Sequence, residues 1–323
     1  MGRKRIADYI IAFLLILSLN FFLPRLLPGD PLTAIYGQDA LAAMSAETEA
    51  KLVQQLGLDK SLGEQFAIYL AGLVEGDLGY SYYFQAPVTQ ILKGALPWTL
   101  LLVVTALVIA TFLGFALGLE SGWRRGRMFD KGLLTCFMFF NGFPDFVVGL
   151  FLLLIFSVAL GIFPLAGALT PYGQLAGIDL VIDVLYHLIL PLTALVITEV
   201  ASCYLLTRSI ALTVLGEPFI LTARAKGIKP VHIKYKHLGR NSLLPVITRT
   251  GVRLGRLFTG ALFIETIFTY PGIGLLIYRA VLFRDYALIQ GVFFVVAAVI
   301  ILINFVLELS YQKIDPRVKN HAY

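Results

Sequence analysis

Residues 97–119 read PWTLLLVVTALVIATFLGFALGL, an unbroken apolar run without a single charged side chain. A helix needs about 20 mostly apolar residues to cross the hydrocarbon of a bilayer, and this run supplies them. Working outward, five further stretches share its character, at about 9–27, 133–160, 187–207, 245–268 and 287–309. The 323-residue chain is 58% hydrophobic and 14% charged, against about 25% charged in an ordinary soluble domain. Its mean hydropathy is +0.83. Lipid is the solvent that such a chain requires, and the expected fold class is an all-α polytopic membrane protein with six transmembrane helices.

The first stretch follows Arg3, Lys4 and Arg5, as a secretory signal would, but it runs into Pro24-Arg25-Leu26-Leu27-Pro28 with no small-residue cleavage site. It is read as an uncleaved span. With the N-terminus placed in the cytoplasm, 20 of the 26 Lys and Arg residues fall on inner segments. Only Arg25, Lys51, Lys60, Lys93, Arg279 and Arg284 remain outside. That bias predicts cytoplasmic N- and C-termini. It also removes the case for a nucleic-acid partner, because topology accounts for the +6 net charge. Three regions follow: residues 1–29 with the first span, an extracytoplasmic loop at 30–96, and a core of five spans over 97–323.

In the outer loop, Ser45 is the predicted N-cap of a helix to Leu56, and a second amphipathic helix is expected over Leu62–Val74 before Gly76. The loop is acidic, which fits either a solvated outer cap or a docking surface for an external partner. The inner loop at 208–244 is more informative. It contains Glu217-Pro218-Phe219-Ile220-Leu221-Thr222-Ala223-Arg224-Ala225-Lys226-Gly227. Pro218 fits the first turn of a helix, the alanines favour helix, and Gly227 can end it in the left-handed conformation. A short helix flanked by positive charge is expected there, with small side chains suited to another protein's groove.

These residues resemble the cytoplasmic "EAA" loop of ABC importer permeases, in the dipeptide, oligopeptide and nickel branch. Further family-like stretches are Leu27-Pro28-Gly29-Asp30-Pro31, Leu56-Gly57-Leu58-Asp59, Gly76-Asp77-Leu78-Gly79, Glu265 to Gly274, Arg284-Asp285-Tyr286 and Ile314-Asp315-Pro316-Arg317, in order along the chain. The resemblance implies a type I importer transmembrane domain in the bacterial inner membrane. It implies a second homologous permease, two ATP-binding subunits and an extracytoplasmic substrate-binding protein as partners. It makes Glu217, Thr222, Ala223, Arg224, Ala225, Lys226 and Gly227 the candidate ATPase-coupling residues. The sequence departs from the motif at Leu221, where the acidic residue that names it would stand.

Nothing in the chain has the spacing for catalysis or phosphate binding. There is no G-x-x-x-x-G-K-[ST], no H-E-x-x-H and no G-x-S-x-G, and the four histidines are scattered. The chain is expected not to be an enzyme and to carry no cofactor, with ATP and Mg on the partner subunits. Cys136 and Cys203 lack paired spacing and are expected to be small core hydrophobes. Gly114-x-x-x-Gly118 and Gly251-x-x-x-Gly255 should allow close helix approach, and Pro144 should kink the third span.

Five charges sit where a membrane makes them costly. Asp145 and Glu199 fall near mid-span, and Arg249, Arg253 and Arg256 share a helix face. They are the candidate translocation-pathway residues, against a plainer reading of snorkelling arginines and shallow acids. A competing function is an ion-coupled secondary transporter carrying protons or sodium on Asp145 and Glu199. That class usually shows internal repeats, and none is evident here.

Overall fold

The structure, a computed structural model, describes residues 3–25, 32–33, 38–55, 57, 59–81, 83–173 and 175–314. It is almost wholly helical. The described helices begin with α1 (Arg3–Arg25), α2 (Gln38–Ala43), α3 (Ala46–Gln55) and α4 (Leu62–Glu75). A two-stranded antiparallel hairpin, β1 (Tyr80–Ser81) and β2 (Ala86–Pro87), leads into α5 (Val88–Trp123). Then come α6 (Met128–Asn141), α7 (Asp145–Leu152, continued by a π-helical segment Leu153–Ala159) and α8 (Ile178–Leu215). The short α9 (Pro218–Ala225) is followed by a helical turn at Pro230–His232, a π-helical segment Ile233–Gly239 and α10 (Arg240–Thr248). The series closes with α11 (Thr250–Ile267), α12 (Ile273–Leu282) and α13 (Tyr286–Ile314).

Among the described residues, α5, α8 and α13 (over Tyr286–Phe305) are each long and apolar enough to cross a membrane alone. At about 1.5 Å per residue, the 36 residues of α5 reach well beyond the roughly 30 Å hydrocarbon layer. The stretch expected as the third span is not one straight helix. α6 and α7 meet at 97°, and only as a bent pair do they make a fourth candidate. The cause lies in Gly142-Phe143-Pro144. Gly142 caps α6, and Pro144 takes an extended ψ of 147° as the N-cap of α7. The predicted kink is thus a full break. Within α1, Phe13–Phe22 is a shorter apolar stretch, while α11 carries Arg253, Arg256 and Glu265 within its 18 residues.

The contacts group the chain into two units, residues 1–97 with 272–302, and residues 98–271 with 303–323. In the first, Val88 and Leu92 of α5 pack with Ile273, Leu276, Leu288 and Val292 of α12 and α13. Asp285 is 4% exposed and caps α13 through Leu288 N–H at 3.0 Å, while Ser81 Oγ donates to it at 2.5 Å. One carboxylate therefore starts a helix and fixes the hairpin. Asn20 of α1 donates to the Gln290 carbonyl of α13 at 2.7 Å. Both outer-loop helices appear where expected. Ser45 Oγ accepts from Thr48 N–H at 3.3 Å, and Ser61 and Glu64 form a reciprocal capping box at the start of α4. The Ser61 N–H and Oγ both donate to Glu64 Oε2 and hold its carboxyl below its usual range. The motifs at 27–31 and 315–317 lie outside the described residues.

In the second unit, α5 and α8 approach through glycine. A methyl group added at Gly114, Gly118 or Gly122 would lie 2.5, 2.7 or 2.8 Å from the Cβ of Cys203, Thr207 or Ala211. The expected Gly114/Gly118 contact thus extends one further turn. Gly255 departs from expectation: an added Cβ there meets nothing within 4 Å, so it makes no close approach. Cys203 is buried as expected, but Cys136 is exposed on α6.

Candidate functional site

The inner-loop helix forms for the reasons legible in its residues. Glu217 is its N-cap and Pro218 its first residue. Gly227 has φ +69°, its N–H bonds Arg224 O at 3.0 Å, and Ile228 N–H bonds Ala223 O at 3.2 Å. This pair of bonds is a Schellman cap, and only glycine takes that φ without strain. Ile228 then folds back onto Ile220, Ala223 and Ile233, completing the cap with an apolar contact.

α9 has two faces. Ile220 and Ala223 point inward, 0% and 4% exposed, against Ile233 and the partly buried Trp123 of α5 and Leu215 of α8. Phe219, Leu221, Thr222, Arg224, Ala225 and Lys226 are exposed. The two alanines named as candidate coupling residues thus lie on opposite faces. Ala223 is consumed by packing within the chain, and Ala225 alone of the two is outward. The apolar outer face is supplied instead by Phe219 and by Leu221, 59% exposed, at the position where the acidic residue of the motif is missing.

One ionic link ties this region to α5, and a second joins α8 to α6. Lys234 bonds Glu120 near the end of α5, and Glu120 also bonds Arg124. Deeper in, Arg208 of α8 donates to Asp130 of α6 through Nε at 2.6 Å and Nη2 at 2.9 Å. Asp130, 2% exposed, also accepts from Ser121 Oγ at 2.5 Å and Gly126 N–H at 2.9 Å, and Ser121 lies 2.6 Å from Tyr204 Oη. The sequence reading assigned no role to Asp130, Glu120 or Tyr204. The available signal was an acidic residue one turn into a helix that follows three arginines.

The five membrane-depth charges do not act as one set. Glu199, 3% exposed near the middle of α8, accepts from Arg253 Nε on one oxygen and from Arg256 Nη2 at 2.7 Å on the other. Arg253 is 7% exposed, and its Nη1 reaches Thr111 Oγ1 at 3.2 Å and Cys203 Sγ at 3.3 Å. Arg256 is half exposed. Asp145 opens α7 and accepts from Thr198 Oγ1. It lies over Gly260, where any Cβ would collide with Oδ2. Arg249 stands apart, exposed at the junction of α10 and α11. Asp145, Thr198 and Arg256 line a cavity of about 190 Å³ together with Asn141, Phe143 and Pro144. Among the described residues no cluster of His, Cys, Asp and Glu has the makings of a metal site.

Comparison with known proteins decides what kind of machine this is. Residues 110–320 match the family described as binding-protein-dependent transport system inner membrane component, and residues 3–103 match its N-terminal companion. The chain belongs to that family. It is 35% identical over 331 aligned positions to the di/tripeptide transport system permease protein DppB of Pseudomonas aeruginosa, covering 98% of each chain. A putative peptide permease of Brucella suis is 38% identical over 302 positions, 93% of each. The glutathione transport system permease protein GsiC of Salmonella typhi is 34% identical over 316 positions, 98% of this chain and 97% of that one. The protein is thus an ABC importer permease of the peptide-transport family and a multi-pass component of the bacterial inner membrane. In this permease, α9 and the ion network both lie within the matched residues 110–320.

Proposed function

We propose that this permease forms half of the translocation pathway of an ATP-driven importer of di- or oligopeptides, with nickel complexes as a second cargo class of the same branch. Six spans with both termini in the cytoplasm would frame the pathway. A second homologous permease would complete it, two ATPase subunits would dock at α9, and an extracytoplasmic binding protein would deliver the solute. The observation that carries this reading is the division of α9 into an inward face pinned to Trp123 and Leu215 and an outward face of Phe219, Leu221 and Arg224. Such a helix can take a push from outside and pass it to the ends of α5 and α8. The names of the relatives favour peptide cargo.

The ion-coupled alternative needs Glu199 free to take up and release a cation. Both of its oxygens are engaged by guanidinium groups, which leaves that alternative without one of its two carriers.

The test is reconstitution of the chain with its candidate partners in proteoliposomes, combined with photo-crosslinking from position 221. The reading predicts dipeptide uptake that requires ATP hydrolysis, and a crosslink to the ATPase. Uptake driven by an ion gradient without nucleotide, or a position 221 reachable only from outside the vesicle, would falsify it.

A further inference from the structure

The charges around the Asp145 cavity are unevenly matched. One carboxylate, Glu199, is shared by two guanidinium groups, which leaves a net positive charge at that cluster. Arg253 spends its charge inside the protein. Arg256 is half exposed, lines the cavity, and engages Glu199 through Nη2. A guanidinium has five N–H donors in a fixed fork, so donors remain for a second anion. Asp145, on the opposite account, accepts only a hydroxyl bond from Thr198 and has no salt bridge among the described residues. Arg256, on the same cavity, acts on Asp145 electrostatically but makes no salt bridge with it, so a bound cation in contact with the carboxylate relieves further the cost of holding it between helices. One surplus charge of each sign thus lines a single space.

We propose that this cavity is a station for a zwitterionic solute, whose ammonium group meets Asp145 and whose carboxylate meets Arg256. Its volume of about 190 Å³ is below the roughly 300 Å³ at which pockets for drug-sized ligands begin. It therefore has room for a short peptide or for one end of a longer one. Asp145 holds its place because Gly260 has no side chain and Thr198 fixes one carboxylate oxygen. The Glu199–Arg253 pair is a positioning element that aims Arg256. This assignment rests on the permease reading and adds to it the chemical class that the pathway recognises.

The experiment uses the assembled transporter in nanodiscs, with Cys136→Ala to remove the exposed thiol and Asn141→Cys as a reporter on the cavity wall. The rate of thiol labelling is followed with millimolar Ala-Ala, with N-acetyl-Ala-Ala, and with N-acetyl-Ala-Ala-amide, which carries neither charge. Ala-Ala should slow labelling about tenfold, the scale of one charge-assisted contact, while the doubly capped peptide should leave it unchanged. Asp145→Asn should remove most of the Ala-Ala protection. Arg256→Gln should remove whatever protection N-acetyl-Ala-Ala gives, a check that stands even if the Asp145 variant fails to assemble. Equal protection by charged and doubly capped peptides overturns the proposal, as does undiminished protection in both variants. A transporter that takes up Ala-Ala yet leaves the reporter unprotected overturns the station and leaves the permease reading standing. Absence of any ATP-driven peptide uptake overturns both.

Discussion

Arg208 holds Asp130 through two parallel hydrogen bonds, at 2.6 and 2.9 Å, joining the C-terminal quarter of the chain's longest described helix to the first turn of its neighbour α6. Their side chains are 17% and 3% exposed. Removing one member of a buried pair leaves the other charge uncompensated, which costs about 3–5 kcal/mol. The partial exposure of Arg208 puts this pair at the low end. Asp130→Asn and Arg208→Gln should each lower the unfolding temperature in detergent. A double replacement by apolar residues of similar volume should recover part of the loss, as followed by scanning fluorimetry. Single variants as stable as the parent would show the pair to be dispensable.

The glycines of α5 and α11 make a matched contrast. Gly118→Ala drives a methyl group against Thr207 and should destabilise by about 1–3 kcal/mol, the usual range for overpacking. Gly255→Ala meets open space and should be neutral, or stabilise by up to about 1 kcal/mol through helix propensity. Denaturation of the two variants side by side is the measurement, and equal effects would contradict the packing described.

Gly227→Ala forces a Cβ into the left-handed region at a cost of about 1–2 kcal/mol, whereas Gly227→Asn costs less. The α9 amides of the alanine variant should exchange faster with deuterium, and coupled uptake should fall while the permease still reaches the membrane. The asparagine variant should lie between. Exchange unchanged in both would mean that the cap does not hold the helix.

Acid should loosen the start of α4. The Glu64 carboxyl is held below its ordinary value because Ser61 donates backbone and side-chain hydrogen bonds to the ionised form. A depressed folded-state value means that the capping box contributes fully above the unfolded value and is lost as pH falls through the folded one. Local exchange protection of residues 62–66, corrected for intrinsic rate, should therefore decline below about pH 4. Ser61→Ala removes only the side-chain bond and should weaken this pH dependence, while Glu64→Gln should abolish it.

Much of this architecture was readable in advance, and the reasons differ by element. Apolar runs fix where helices lie, because burial in lipid tolerates few charges; α5, α8 and α13 contain their predicted spans with room to spare. Caps are local chemistry, so Ser45, Pro218, Gly76 and Gly227 announced their helix ends. What failed depends on contacts distant in sequence. Ala223 and Ala225 look alike in the chain, and only the placement of Trp123 and Ile233 turns one inward. Pro144 signalled a disturbance, but the 97° angle needs Gly142 and Pro144 acting together. Glu199 and Asp145 seemed alike as lone acids. Which of them finds cations is decided by α11, more than fifty residues further on for Glu199, and no spacing rule reports that. The site residues named for the coupling loop and the pathway await the experiments above.

The three glycines that let α5 settle against Cys203, Thr207 and Ala211 also forbid those helices from slipping lengthwise. Each step of sliding would have to lift one backbone over the other's side chains, three times at once. The two helices therefore behave as a single stiff beam, footed on α9 at one end. Were that foot displaced, the two helices would have to move together, since neither can slide along the other.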